Sequence, residues 1–506
     1  MPTERETLAP AKKGHIGQFN PLTFLKVLSW SLLIALTLLA LIRPSINYDS
    51  WWYHLPFTAH LFDIGDSRVS FPLDEFLINR YVGFPRLWYY FQGVAWKMTG
   101  ILQSVILPQL ILAGLYFFLI FRWFSVPISL LSLGLFASPM LLLHYEGTLL
   151  DLPTGLAVAL FFFATMRFHQ LSQLPLRSER GLAAIVSICA ASLAGNIKVQ
   201  GLIAVFAVGL SVLCLHLITY HRDQTRLRSL VTLVFFCGLT ASTSALVNLS
   251  RFSNPIYPIK VDIGQRSLFV GVEPPDLGAE PPQYLLYGSK EVSFPGPINF
   301  ILSVTEFDWT MRGVAPWYNI DSVSGRTPRR GKPSRTGGFG ALFVLINVVI
   351  MMAHSKHALS HGNRDRIFLP MTVLFICVAA AFLPRAHELR YWLFLPLIVL
   401  PANLHFLVGR FGAKLPVYTV ASICTIYGLA SVALSPKSGI FDLPPLTTEG
   451  RLLGIPSEIR QRLVSDGIYC DPQDALLFRY STAVTGVRGV LSHVQSDCPI
   501  QKLDVQ

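Results

Sequence analysis

Charge is scarce in this 506-residue chain. Lys, Arg, Asp and Glu make up 14% of it, against about 25% in an ordinary soluble domain. A surface so poor in charge cannot all face water, and 52% of the residues are hydrophobic, with a mean hydropathy of +0.49. Several signatures are missing as well. There is no Gly-rich phosphate loop, no paired CxxC and no HExxH, which argues against a pump with its own ATPase domain and against a zinc protease. No internal repeat or low-complexity tract occurs. Ten-residue alternating segments are absent, so a β-barrel is not expected. The polar start "MPTERETLAPAKKGHIGQFNPLTFLK" leads into an apolar run with no small-residue cleavage site behind it, so no cleavable leader is expected.

What the chain does have is a succession of apolar runs of bilayer length. They predict an all-α polytopic membrane protein of about eleven spans, near 27–43, 100–121, 125–143, 153–166, 182–196, 199–219, 229–247, 338–353, 367–383, 391–408 and 415–434. The net charge of +12 then reads as loop bias rather than affinity for nucleic acid. With a cytoplasmic N-terminus, every inner loop is basic (Lys12, Lys13, Lys26; Arg122; Arg167, Arg177, Arg180; Arg222, Arg226, Arg228; Lys356, Arg364, Arg366; Arg410, Lys414). The short outer loops, apart from 384–390, are nearly free of Lys and Arg, as the positive-inside rule requires. An integral membrane location is the expectation, with the C-terminus extracytoplasmic.

Residues 1–434 form the expected transmembrane domain. Two outer segments, about 44–99 and 248–337, are too long to be mere connections. Their aromatic stretches "WWYHLPFTAHLF", "PRLWYYFQGVAW" and "PINFILSVTEFDW" predict helices along the outer interface. The second segment ends in a cluster of Arg326, Arg329, Arg330, Lys332 and Arg335 among glycines, readable as a mobile lid over 322–340 or as a solvated loop. Residues 435–506 make a small outer module whose pattern fits helix or strand. Cys189, Cys214, Cys237, Cys377 and Cys424 fall inside spans, as small packing residues. Cys470 and Cys498 lie in the outer tail, where a disulfide between them is expected.

The polar exceptions gather at span ends on the predicted outer side. Asp49 follows the first span, beside Trp51, Tyr53 and His54. Glu146 and Asp151 flank the turn after the third, and Lys198 separates the fifth and sixth. Arg251, Asn254 and Tyr257 follow the seventh; Arg385, His387, Glu388, Arg390 and Tyr391 follow the ninth. Such charges are costly near a membrane and mark function or paired structural sites. Carboxylates can act as a general base or hold a divalent cation; Lys and Arg can bind phosphate. With no nucleotide motif, that combination at a membrane surface suits a lipid-phosphate donor. Asp49 is the candidate base. Lys198, Arg251 and Arg390 are candidates for the donor phosphate. Trp51, Tyr53, His54, Glu146, Asn254, Tyr257, Glu388 and Tyr391 are candidates for substrate contacts, and Asp151 for a divalent cation (Mg or Mn). The bland reading of the same set is a network of ion pairs that holds the outer loops together.

Over residues 27 to 408 the sequence resembles the GT-C class of membrane glycosyltransferases, in particular bacterial relatives of the protein mannosyltransferases and the lipid A aminoarabinose transferases. "YDSWWYHLPFTAHL" resembles the family's first outer loop, where the acid after the first span is the presumed catalytic carboxylate, here Asp49. "SPMLLLHYEGTLLDLP" resembles its second acidic site, here Asp151. "GNIKVQG" resembles a lysine-bearing turn, here Lys198. "RFSNPIYPI" resembles the "GNPxYP" motif, and "ELRYWLFLP" an "RY" motif before a late span. The chain departs from the pattern in having Asp49-Ser50 where many members have two acids, and Ser253 where Gly is usual. The resemblance implies a GT-C-like bundle that moves a sugar from a polyprenyl-phosphate donor to a glycan, lipid or protein acceptor, among membrane lipids and without a nucleotide.

Two other classes compete. A transporter places its binding residues near mid-membrane on broken helices, often with repeat symmetry; here the charges sit at span ends and no repeat is visible. A non-catalytic assembly subunit on the same scaffold differs from an enzyme in its indifference to loss of Asp49.

Overall fold

The computed structural model describes residues 20–42, 50–64, 73, 75–145, 147–173, 177–220, 223–263, 266–272, 284–286, 290–292, 296–305, 339–360, 364–382 and 389–433. Helices dominate, as they must where the backbone crosses lipid and can satisfy its polar groups only within its own segment. In chain order they are α1 (Pro21–Ile42), α2 (Leu55–Phe62), α3 (Glu75–Gly83), α4 (Leu87–Thr99), α5 (Leu107–Phe124), α6 (Ile128–Phe136), α7 (Pro139–Tyr145), α8 (Asp151–Gln170), α9 (Arg177–Ile197), α10 (Val199–Tyr220), α11 (Gln224–Ala241), α12 (Thr243–Phe252), α13 (Gly296–Thr305), α14 (Ala341–Ser360), α15 (Arg364–Ala381), α16 (Phe394–Phe411) and α17 (Leu415–Ala433).

The described residues of the eleven expected segments are mostly helical, and the third and seventh are each divided between two helices. Among the described residues seven helices are long and apolar enough to cross a membrane, and nine if each of two bent pairs counts as one span. Phe368–Ala381 and Leu415–Ala430 are apolar but shorter. The chain is an all-α, multi-pass integral membrane protein.

Helix α8 is the axis of the bundle. Of its apolar window 94% is buried, against 17% for α1. Apolar residues surround it on all sides, so it has protein neighbours and not lipid on every face. It packs against α9, α16, α5 and α10. Gly155, one turn into α8, carries no side chain where a Cβ would lie 3.1 Å from the Leu393 Cβ and the Phe394 nitrogen. That gap brings the 3₁₀ turn Leu389–Trp392 against the start of α8. At α1, buried Ser29 bonds to the Ser132 hydroxyl (3.0 Å) and Ser129 bonds to the Tyr418 hydroxyl (2.6 Å), joining α1, α6 and α17 by hydroxyl contacts within the apolar bundle.

The structure departs from straight spans in two places. The third expected span breaks by 104° between α6 and α7. Pro139 opens α7 and lacks the N–H that would continue α6. Gly428 of α17 leaves room for the break: a Cβ there would sit 2.7 Å from the Ala137 carbonyl oxygen. The seventh span bends by 50° between α11 and α12. There Asn196 supplies both of the bonds the bend would otherwise lose. Its amide donates to the Thr240 carbonyl (2.9 Å), and its oxygen accepts from the Ser244 backbone N–H (2.8 Å) and hydroxyl (2.6 Å). Gly195 lets α9 approach, since a Cβ would lie 2.2 Å from the Ala241 carbonyl oxygen. Gly201 closes the α9–α10 turn in the same way, 2.1 Å from the Ala194 carbonyl oxygen. The stretch "GNIKVQG" is thus a clamp and a tight corner with Lys198 at its tip.

The two segments expected on the outer side also differ from expectation. "WWYHLPFTAHLF" forms a π-helical turn, Ser50–His54, followed by α2. Leu55 to Ala59 are all buried, packed on α4, rather than lying along a lipid interface. The second segment contains antiparallel pairs, β1 (Val261–Ile263) with β2 (Arg266–Phe269) and β3 (Tyr284–Leu286) with β4 (Lys290–Val292), where only helices are expected from its aromatics. Residues 306–338, with the basic stretch, and 434–506, with Cys470 and Cys498, lie outside the described residues.

The Asn196 clamp yields a prediction. Asn196→Ala removes the acceptor of the Ser244 N–H and one of the donors to the Thr240 carbonyl, which the Thr243 hydroxyl also reaches at 2.9 Å, at about 0.5–1.5 kcal/mol for each bond lost. The variant in detergent is expected to melt several degrees below the parent. An unchanged melting temperature shows that the bend needs no clamp.

Candidate active site

The site lies at the junction of the α8 start, the α9–α10 corner, the 389–392 turn and the first outer segment. Asp151 opens α8, where a carboxylate faces the positive end of the helix dipole. Its side chain is 3% exposed, and Oδ1 accepts from the Lys198 Nζ at 2.6 Å. Lys198 interrupts the backbone between Ile197 and Val199, so its side chain leaves the corner toward α8. The same ammonium lies 4.5 Å from the centre of the Tyr391 ring, and the Arg390 guanidinium lies 5.0 Å from that ring. Arg390 also donates to the Tyr391 hydroxyl at 3.2 Å. One carboxylate and one electron-rich ring therefore hold two cations.

His54 ends the π-helical turn and is 3% exposed. Its Nδ1 hydrogen-bonds with the Tyr89 hydroxyl at 3.0 Å, and its ring lies 4.1 Å from that of Tyr53. Burial, and then the positive charge of Lys198, depress its pKa to about 3; Arg390 and Arg80 act in the same direction and Asp151 opposes them. His54 is therefore a neutral imidazole beside three cations. Arg80, on α3, places its guanidinium 5.9 Å from the Tyr53 ring and 5.6 Å from Phe84.

Not every candidate joins this cluster. Arg251 is exposed on the last turn of α12, and the cations acting on His54 are Lys198, Arg390 and Arg80. Asn254 is fully buried, and its side chain is spent on the backbone: the amide donates to the Ile259 and Val270 carbonyls (2.8 and 2.9 Å), and the oxygen accepts from the Ile256 N–H (2.9 Å). Tyr257 stacks on Phe252 at 4.0 Å and donates to the Asn79 side chain at 2.8 Å. Asn248 donates to the Gly83 carbonyl at 2.7 Å. These residues fasten α3, and with it Arg80, to the end of α12. In the structure the polar atoms of Asn254 and Tyr257 thus bond within the protein and help to position a cation.

The divalent cation expected at Asp151 meets a different arrangement. Lys198 occupies Oδ1, and among the described residues no three His, Cys, Asp or Glu side chains converge. Asp49, Glu146 and Glu388, and the side chain of Trp51, lie outside the described residues.

Two participants escape a reading based on span ends. Arg80 and Tyr89 belong to helices between residues 75 and 99. The signal of Arg80 is position within apolar surroundings, in "EFLINRYVG".

The fold and site define an all-α integral membrane protein with a cationic, aromatic-lined cluster at one end of its bundle. No family model matches the chain, and no curated protein matches it. Among solved structures it is similar to ArnT from Cupriavidus metallidurans in the apo state, at 14% identity and a TM-score of 0.47 over 92% of this chain and 76% of that one. The structure of ArnT bound to undecaprenyl phosphate gives 13%, 0.46, 92% and 75%. At these identities and TM-scores the likeness assigns no activity.

The state of His54 is open to test. In the unfolded chain it takes up a proton near pH 6.5, whereas in the fold it stays neutral to about pH 3. The unfolded state thus binds the extra proton between those values, so His54 makes stability fall as pH drops from about 6.5. His54→Asn, which keeps a donor near Tyr89, is expected to flatten the decline in melting temperature between pH 6.5 and pH 4. An identical decline in both proteins places the titration elsewhere.

Proposed function

We propose that the protein is a glycosyltransferase of the GT-C type that transfers a sugar from a polyprenyl-phosphate donor, with its site on the extracytoplasmic face of a bacterial inner membrane. The observation that carries this reading is the convergence of Lys198, Arg390 and Arg80 around neutral His54, with Asp151 as the carboxylate described among them. A group of cations of this kind suits a lipid phosphate, and the order of motifs in the sequence agrees.

In this reading the donor phosphate lies between the three cations. An ammonium has three donors, so Lys198 keeps its bond to Asp151 while giving another to phosphate. Arg390 and Arg80 add fork-shaped donors suited to phosphate oxygens. Tyr53 and Tyr391 line the cluster and hold the arginines and the lysine. The acceptor hydroxyl attacks the anomeric carbon, and Asp49 takes its proton. The bond from that carbon to the phosphate oxygen breaks, and the electron pair leaves with polyprenyl phosphate, whose charge the cations neutralise.

Purified protein in nanodiscs is expected to bind bare polyprenyl phosphate. Lys198→Ala should weaken binding about 10- to 100-fold, the effect of one bond to a charged group, and Arg251→Ala should leave it unchanged. Absence of binding, or equal binding by Lys198→Ala, contradicts the proposal.

Asp49→Asn separates chemistry from binding. It is expected to keep lipid binding and to slow release of polyprenyl phosphate from a sugar-charged donor by about 10²- to 10⁴-fold. Full turnover by Asp49→Asn removes Asp49 as the base, and lipid binding with no turnover in the parent favours a non-catalytic subunit.

A further inference from the structure

Beside the cation cluster lie three buried polar atoms with no partner: His144 Nε2, Thr148 Oγ1 and Gln109 Oε1. Their residues are 1%, 4% and 1% exposed. Most buried polar groups are hydrogen-bonded, and exceptions call for a cause. These three share one neighbourhood. The Gln109 amide donates to the His144 and Tyr145 carbonyls at 3.1 and 2.9 Å. Thr148 lies four residues beyond His144, and its carbonyl accepts from Gln92 at 3.4 Å, which joins it to α4. The charges of Asp151, Lys198 and Arg390 act on His144, so the group borders the proposed phosphate site.

Their chemistry is definite. His144 Nδ1 faces the Met140 carbonyl at 2.8 Å, and a carbonyl only accepts, so Nδ1 carries the proton. In the neutral ring Nε2 is then an acceptor. Gln109 Oε1 is a second acceptor, and the Thr148 hydroxyl both donates and accepts. Two acceptors and a hydroxyl match a ligand rich in O–H or N–H donors. An apolar polyprenyl chain offers none, and a phosphate supplies further acceptors.

We propose that His144, Thr148 and Gln109 form the subsite that reads the sugar of the lipid-linked donor through its hydroxyl or amino groups. This rests on the polyprenyl-phosphate reading above, and it assigns to the floor of the site the discrimination that the cations cannot provide. A site built to bond a hydroxyl or amine rejects ligands that lack it, because its own groups then stay unpaired.

The test compares binding of bare polyprenyl phosphate with binding of the same lipid carrying glucose, mannose or an amino pentose, all in nanodiscs. The parent should bind at least one sugar-bearing lipid about tenfold more tightly than bare lipid, the worth of one or two well-made bonds. His144→Asn keeps a donor for the Met140 carbonyl and deletes the Nε2 acceptor, so it should erase that gain. Thr148→Val should reduce it. His144→Gln carries an amide oxygen near the Nε2 position and should retain most of it. Bare-lipid binding should stay within about twofold throughout. Thr148→Val should also melt no lower than the parent, since it removes an unpaired buried hydroxyl.

Absence of a sugar-dependent gain in the parent overturns the proposal. So does a gain that survives His144→Asn and Thr148→Val, and so does a drop in melting temperature for Thr148→Val without loss of the gain, the pattern of a pocket filled by water. If sugar-bearing lipid binds while bare lipid does not, the phosphate reading fails, and the response to His144→Asn still decides the subsite. If no lipid binds, both readings fall.

Discussion

Charge buried beside a membrane is the constraint on which the structure turns. Lys198 and Asp151 each demand a partner, because removing one member of a buried pair costs about 3–5 kcal/mol. Their contact at 2.6 Å draws the α9–α10 corner onto the start of α8. Everything around it serves that approach. Gly195 and Gly201 thin the backbone at the corner, Asn196 fixes the bent neighbour, and Gly155 admits the turn that carries Arg390 and Tyr391. The central helix is almost wholly buried, so its first residue is held as firmly as any in the bundle.

The cations that gather here repel one another, and the structure offsets this with aromatic rings. Tyr391 faces both Lys198 and Arg390; Tyr53 faces Arg80. Burial keeps His54 neutral, so it adds polarity without further charge. Cations held in a fixed arrangement before a ligand arrives are what electrostatic stabilisation of a departing phosphate requires.

Much of the fold was legible because lipid leaves the backbone few options. Eleven apolar stretches were readable as segments; their described residues are mostly helical, and two of the stretches are broken into pairs of helices. The two bends were not, since Ser138-Pro139 and Ser242-Thr243 look ordinary until Gly428 and Asn196 arrive from distant helices. The burial of "LPFTA" and the small strands of the second outer segment were equally hidden. Both depend on tertiary partners. In the site, Lys198, Arg390, Tyr391, Tyr53, His54 and Asp151 were legible as polar exceptions at span ends, and the structure brings them together. The same rule singled out Asn254 and Tyr257, whose polar atoms bond within the protein, and Arg251, which is exposed on the last turn of α12. It missed Arg80 and Tyr89, which lie inside short helices and become neighbours only through packing.

The account stands on the donor phosphate meeting Lys198, Arg390 and Arg80 at one point. An experimental structure of the protein with polyprenyl phosphate tests this directly. The expected result has phosphate oxygens within hydrogen-bonding distance, about 2.7–3.2 Å, of Lys198 and at least one of the two arginines, with Asp151 still accepting from Lys198. A phosphate bound elsewhere, with these three side chains untouched, would contradict it.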